Sequence, residues 1–146
     1  MVAIVEIHNV NVNIVLGALP FDTSGVTASS SPVNTVDIGH WITEGAGIIN
    51  SLLERHGIDP ETGLLANGAQ LVRRGVIGYA AAQALKSAGI TGSKLVEFEK
   101  AFDQVDKRIR TDPRSLGDSQ DPASVVISSV TTETPKKWSA DTFKGW

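Results

Sequence analysis

Asn34-Thr35-Val36-Asp37-Ile38-Gly39-His40-Trp41-Ile42-Thr43-Glu44-Gly45-Ala46-Gly47-Ile48-Ile49-Asn50-Ser51-Leu52-Leu53-Glu54-Arg55-His56-Gly57-Ile58 is the stretch whose reading decides the fold. It opens on residues suited to cap a helix, Asn34 or Thr35, and sets Asp37 in the first turn, where the helix dipole favours an anion. Ile38, Trp41, Ile42, Ile48, Ile49, Leu52 and Leu53 fall on one broad face at the helical period. Gly57 is a natural left-handed stop, and Ile58 offers the apolar contact that accompanies such a stop. The spacing predicts an amphipathic helix over 35–56.

Downstream, Asp59-Pro60 reads as a helix opening, since Asp caps and Pro is tolerated in the first turn. A short turn through Leu64 and Leu65 then leads to a second long helix over 68–88, with Asn67 as its expected cap. Its face holds Leu71, Val72, Val76, Tyr79, Ala80, Gln83 and Ala84. Gly75, Gly78, Ala80, Ala81, Ala82 and Ala84 make it unusually small-sided, so neighbouring helices can approach closely and this helix is expected at the centre. Gly89 ends it. A third helix is expected over 93–110, capped by Ser93. Leu95, Phe98, Phe102, Val105 and Ile109 form a narrow apolar stripe among charges, and Asp112-Pro113 closes it.

Upstream, residues 2–16 read as strand. Val10, Val12, Ile14 and Leu16 alternate with Asn9, Asn11, Asn13 and Val15, while Val5 and Ile7 have the opposite parity, so a bulge or turn is expected near His8-Asn9. Residues 17–34, with Gly17, Pro20, Gly25, Pro32 and three consecutive serines, read as loop. The last 33 residues are broken by Asp112, Pro113, Asp118, Asp121, Pro122 and Pro135, yet hold Val125, Val126, Ile127, Trp138, Phe143 and Trp146. Disordered tails are normally poor in aromatics, so this one is expected to dock on a partner through those six residues; the alternative is that it folds back and covers its own bundle.

The expected fold is therefore mainly α: a small antiparallel bundle of three to four helices with an N-terminal β-strand or hairpin and an extended C-terminal arm. Three parts follow: residues 1–34, a strand and loop serving as an inter-subunit arm; 35–111, the bundle; and 112–146, the extended arm. The expected core is Ile38, Trp41, Ile42, Ile49, Leu52, Leu53, Val72, Val76, Tyr79, Phe98, Phe102 and Val105.

Composition bounds the function. The chain has 146 residues, enough for one domain, and only 5% are aromatic, so its core must rest on Ile, Val, Leu and Ala. With 13 basic and 16 acidic residues, the net charge is -3. No basic stripe is visible of the kind that grips phosphates. The absence of cysteine excludes disulfides, thiolate metal sites and Cys nucleophiles. Glu6, His8, Asn9, Asn11 and Asn13 interrupt the apolar N-terminus, which fits neither a signal peptide nor a membrane span.

No catalytic, cofactor or metal site emerges. His40 and His56 are more than four turns apart on one helix and cannot share an ion; capping or surface roles are the plain reading, as for His8. Glu97 and Glu99 diverge on a helix. Asp103 and Asp106 can approach, but Lys107 and Arg110 make that a salt-bridged face. No serine lies in a nucleophile elbow, and Gly39, Gly45 and Gly47 have the wrong spacing and context for a dinucleotide fingerprint. Arg73-Arg74 mimics the start of a recognition helix, but the small residues that follow offer little to read base edges.

The run from Ser31 to Leu53, with its Trp41-Ile42 pair, small-residue turn, Ile49-Asn50 and Leu52-Leu53, resembles the opening helix of head-to-tail connector (adaptor, or head-completion) proteins of tailed bacteriophages. Leu71-Val72-Arg73-Arg74 running into Tyr79-Ala80-Ala81-Ala82 is similar to their second long helix, and Trp138-Ser139-Ala140-Asp141-Thr142-Phe143-Lys144-Gly145-Trp146 to the ends of some of them. The resemblance covers residues 31–110 and the last nine. It implies a non-enzymatic virion protein, made in the host cytoplasm and placed at the head–tail junction. Copies would form a dodecameric ring under the portal protein, carry a tail-side connector or stopper protein, and let DNA pass without sequence-specific binding. No cofactor and no membrane are implied. The competing readings are a helical interaction module, another virion component such as a tail-completion protein, or a DNA-binding regulator.

Overall fold

The helix that dominates the sequence is bounded by two well-formed caps. In α2 (Thr35–Arg55), Asn34 stands in extended backbone and its side-chain oxygen accepts the Asp37 N–H at 2.8 Å, while its amide donates to the Asp37 carboxylate at 3.0 Å. At the other end Gly57 has φ +77°, its N–H reaches the Glu54 carbonyl at 3.0 Å, and Ile58 N–H reaches Leu53 at 2.9 Å. This is the Schellman closure, with buried Ile58 as its apolar contact. The same motif ends α3 (Ala66–Ser87): Gly89 has φ +73° and Ile90 N–H bonds the Leu85 carbonyl at 2.9 Å.

The computed structural model describes residues 6–117. They form a two-residue-wide antiparallel hairpin, β1 (Glu6–Ile7) and β2 (Val10–Asn11), then a short α1 (Val12–Ala18), α2, α3, α4 (Ser93–Thr111) and a 3₁₀ turn at Pro113–Ser115. The fold is mainly helical with a small N-terminal hairpin.

The small residues of α3 decide the packing. A Cβ on Gly75 would meet Val105 of α4 at 2.5 Å and Ile49 of α2 at 3.3 Å. One position thus touches both flanking helices, and α3 is central. Gly45 lies against Tyr79, and Gly78 against Phe98 and Ala101. Numbers rise along α3 as they fall along each neighbour, so both pairs are antiparallel. The core is aliphatic: Ile38, Ile42, Ile49, Leu53, Val72, Val76, Leu85, Val105 and Ile109 are fully buried, and Leu52 nearly so. Each such side chain contributes about 1.5–3 kcal/mol of burial free energy.

Residues 10–33 close the bundle from the side. Val10, Val15, Leu19 and Val33 belong to the core, so the 6–34 stretch is part of the body. The chain past α4 also returns to it: Leu116 is buried and Gly117 pairs with Leu64.

Four local expectations are corrected. Residues 12–18 are helix, not strand. Val12, Val15, Leu16 and Leu19 also satisfy the helical spacing, and Asn11 caps the run by accepting the Ile14 N–H at 3.0 Å. The turn at His8-Asn9 does exist, as the hairpin tip. Asp59-Pro60 opens no helix: the Asp59 carboxylate accepts the Glu61 N–H at 2.9 Å and folds a tight turn. Asn67 does not cap α3, whose N-cap is Leu65 without a side-chain bond; its amide instead points to the Ser115 carbonyl. Ser93 is the first helical residue of α4 and the N-cap is Gly92, at φ +125°.

Candidate functional site

The hairpin tip is a two-residue turn, and both His8 and Asn9 sit at positive φ (56° and 62°). That is the handedness that matches the twist of paired strands. It aims the His8 ring at α2, where Nε2 lies 2.6 Å from the Asn50 side-chain oxygen. The Asn9 carbonyl accepts from Arg73 Nε of α3 at 3.3 Å. The tip is thereby tied to two helices, and one of the two arginines of the recognition-helix pattern is engaged in holding it.

Beside the tip lies an open cleft of about 440 Å³, lined by Glu6, Ile7, His8, Asn9, Asn50, Pro60, Glu61, Leu64 and Ala69. An imidazole with carboxylates nearby is the chemistry of metal or proton-transfer sites. Yet among the described residues no group of three His, Asp or Glu side chains is placed to hold a metal ion. No serine lines the cleft. The cleft offers hydrogen bonds and negative charge. The signal for this constellation in the sequence was the phase slip at His8-Asn9; its pairing with Asn50, 42 residues on, had no local signal.

A second surface runs between α2 and α4 over α3. The sequence placed Trp41, Tyr79, Phe98 and Phe102 in the core; all four are only half-buried. The physical reason is bulk. The helices approach most closely at Gly45, Gly75 and Gly78, and the Tyr79 ring is itself the group packed on Gly45; the rings are too large to end inside these contacts and extend past them to the surface. Tyr79 packs on the Gly45 backbone and tilts against Phe102, ring centroids 5.0 Å apart. Its hydroxyl donates to Glu44. Burial, followed by the bond to Glu44 and that group's charge, pushes the Tyr79 hydroxyl up to about 12. Lys94 lies 5.7 Å over the Phe98 ring. Ile48, one helical repeat past Trp41 on α2, is 40% exposed.

The three ion pairs among the described residues all involve α4. Lys86 meets Glu99 at 3.1 Å, Lys94 meets Glu97 at 3.7 Å and Arg110 meets Asp106 at 3.1 Å, all in contact with solvent. The last pair agrees with the salt-bridged face expected around Asp103 and Asp106. His40 is exposed and His56 is the C-cap of α2. No helix among the described residues is long and apolar enough to cross a membrane.

Val125, Val126, Ile127, Trp138, Phe143 and Trp146, the expected partner-binding residues, lie outside the described residues. The last described residue, Gly117, is held by Leu64 beside the N-terminal end of α3, with the Leu65 N–H on the Leu116 carbonyl at 2.8 Å. Comparisons of the chain with protein-family models, with curated proteins and with solved structures find no match.

Proposed function

We propose that the chain is a structural assembly subunit, similar in role to the phage head-to-tail adaptors that residues 31–110 and 138–146 resemble. In this reading copies form a ring beneath the portal protein, and the body of residues 6–117 builds the ring wall around a channel for DNA. The segment after Gly117 reaches a partner, either the portal or an adjacent subunit. The observation that supports it best is the division of labour along the chain. A packed helical body ends at an anchored point, and 29 further residues carry three of the chain's eight aromatic side chains. Aromatics are over-represented among the residues that carry binding energy at protein interfaces. Among the described residues the long-range polar contacts, His8 with Asn50, Arg73 with the Asn9 carbonyl and Tyr79 with Glu44, tie elements of the body together, which suits a part whose work is to be held and to hold.

The test removes residues 123–146 and measures two things. The body is expected to unfold cooperatively as before, while particles made with the shortened chain fail to join heads to tails. If heads and tails join normally, the assembly role of the segment is wrong. If the body itself no longer folds, the segment belongs to the core instead.

A further inference from the structure

We propose that the aromatic surface between α2 and α4 is a docking site for the chain's own residues 138–146, occupied in the isolated subunit. The surface is built from Trp41, Ile48, Tyr79, Phe98 and Phe102. Its distinguishing feature is that every fully buried large side chain of the body is aliphatic, whereas the rings stand half-buried. Large aromatics are among the most strongly buried residues on average, because each hides roughly 150–250 Å². Rings left partly wet and contiguous mark a surface prepared for contact. Contiguity is direct here: Tyr79 rests on Gly45, one turn after Trp41, and its ring touches Phe102, one turn after Phe98.

The occupant follows from the chain itself. Residues 138–146 hold Trp138, Phe143 and Trp146, with Lys136, Lys137 and Lys144 around them against one acid, Asp141. The surface carries the Glu44 carboxylate, bonded to Tyr79, at one flank and Lys94, paired with Glu97, over Phe98 at the other, so the apolar rings and the tether, more than charge, select the segment. Reach is not limiting. Tyr79 is eleven residues along α3 from Gly68, whose backbone packs on Leu116, a rise of roughly 16 Å. Trp138 is 21 residues beyond Gly117, a span of up to roughly 70 Å when extended. A tether of that length closes its loop at small entropic cost and presents the segment at an effective concentration of roughly millimolar order. At the micromolar concentration of an isolated protein, docking on the same chain outcompetes docking on a neighbour. The segment is then covered until a partner with higher affinity takes it. This inference stands independently of the assembly reading, since it concerns the chain alone.

Amide hydrogen exchange on the full-length chain tests it. Residues 138–146 should exchange about tenfold or more slowly than in the same chain carrying W138A, F143A and W146A, with protection that does not change over a wide range of protein concentration. Ile48→Asp, at an exposed position that leaves the helical circular-dichroism signal intact, should abolish that protection. Phe98→Ala should weaken it, and serves as a second surface variant. Unprotected residues 138–146 in the parent chain overturn the proposal. So does protection that survives Ile48→Asp and Phe98→Ala, or protection that grows with concentration, which would place the segment on a second copy.

Discussion

Adding one methyl group at Gly78 tests the central packing of the fold. A Cβ there would stand 2.5 Å from the backbone oxygen of Phe98 and 3.1 Å from the Ala101 Cβ. The first neighbour is main chain and cannot rotate away, so α4 has to move off α3. Overpacking of this kind costs about 1–3 kcal/mol. Against it stands the intrinsic gain of replacing a helical glycine by alanine, about 1 kcal/mol. Gly47 provides the matched control, since it lies within α2 and a Cβ there meets nothing within 4 Å. Gly47→Ala should therefore stabilise by the propensity term alone. The two variants are expected to differ by about 1–3 kcal/mol, with Gly78→Ala the less stable. At roughly 3–4 °C per kcal/mol for a chain of this size, the separation is visible in melting as well as in urea. The assay is urea unfolding of the full chain followed by circular dichroism, comparing midpoints at unchanged slope. If Gly78→Ala gains as much stability as Gly47→Ala, α4 does not approach α3 at that point and the argument for a close-packed central helix fails.

Two further outcomes are expected. Tyr79 is the only tyrosine in the chain, so phenolate absorbance reports it alone and should rise with a midpoint near 12, not the ordinary 10. Because the folded state holds this proton more tightly than the unfolded chain, the associated stability is complete below pH 10 and is lost as pH climbs from 10 through 12. Glu44→Gln should bring the midpoint down towards the ordinary value, and a parent chain titrating at 10 would show that the ring is not desolvated. Asn34→Ala removes the side-chain oxygen that holds the Asp37 N–H and should cost about 1 kcal/mol in the same urea assay, with Asn34→Ser retaining most of it. A silent Asn34→Ala would mean that α2 starts elsewhere.

Residues that act on their own neighbours were legible in the sequence. Asn34, Gly57 with Ile58, and Gly89 each close hydrogen bonds within five residues, so the ends of α2 and the end of α3 could be read directly. Periodicity over about twenty residues is hard to mistake, which is why three long helices and their aliphatic faces stood out. The small side of α3 announced a central helix because only close neighbours require it. Short runs were ambiguous for the same physical reason. Over seven residues from Val12, both alternation and the helical period find apolar partners, and it took the Asn11 cap and the packing of Val15 to select helix. Asn67 and Ser93 are good capping residues in isolation, but at Asn67 the amide is engaged by Ser115, 48 residues away.

The amino-acid sequence by itself determined the mainly helical class, the breaks between helices and the aliphatic character of the core, because caps, glycine stops and amphipathic spacing are local properties of the chain. Only the tertiary structure decided that the rings of Trp41, Tyr79, Phe98 and Phe102 stay half-buried. It also set His8 against Asn50, and brought the chain after α4 back to Leu64. Each of those outcomes rests on contacts between residues remote in sequence: the rings on how closely the helices meet at Gly45, Gly75 and Gly78, the hairpin tip on Asn50 and Arg73, and the returning chain on Leu64 and Leu65.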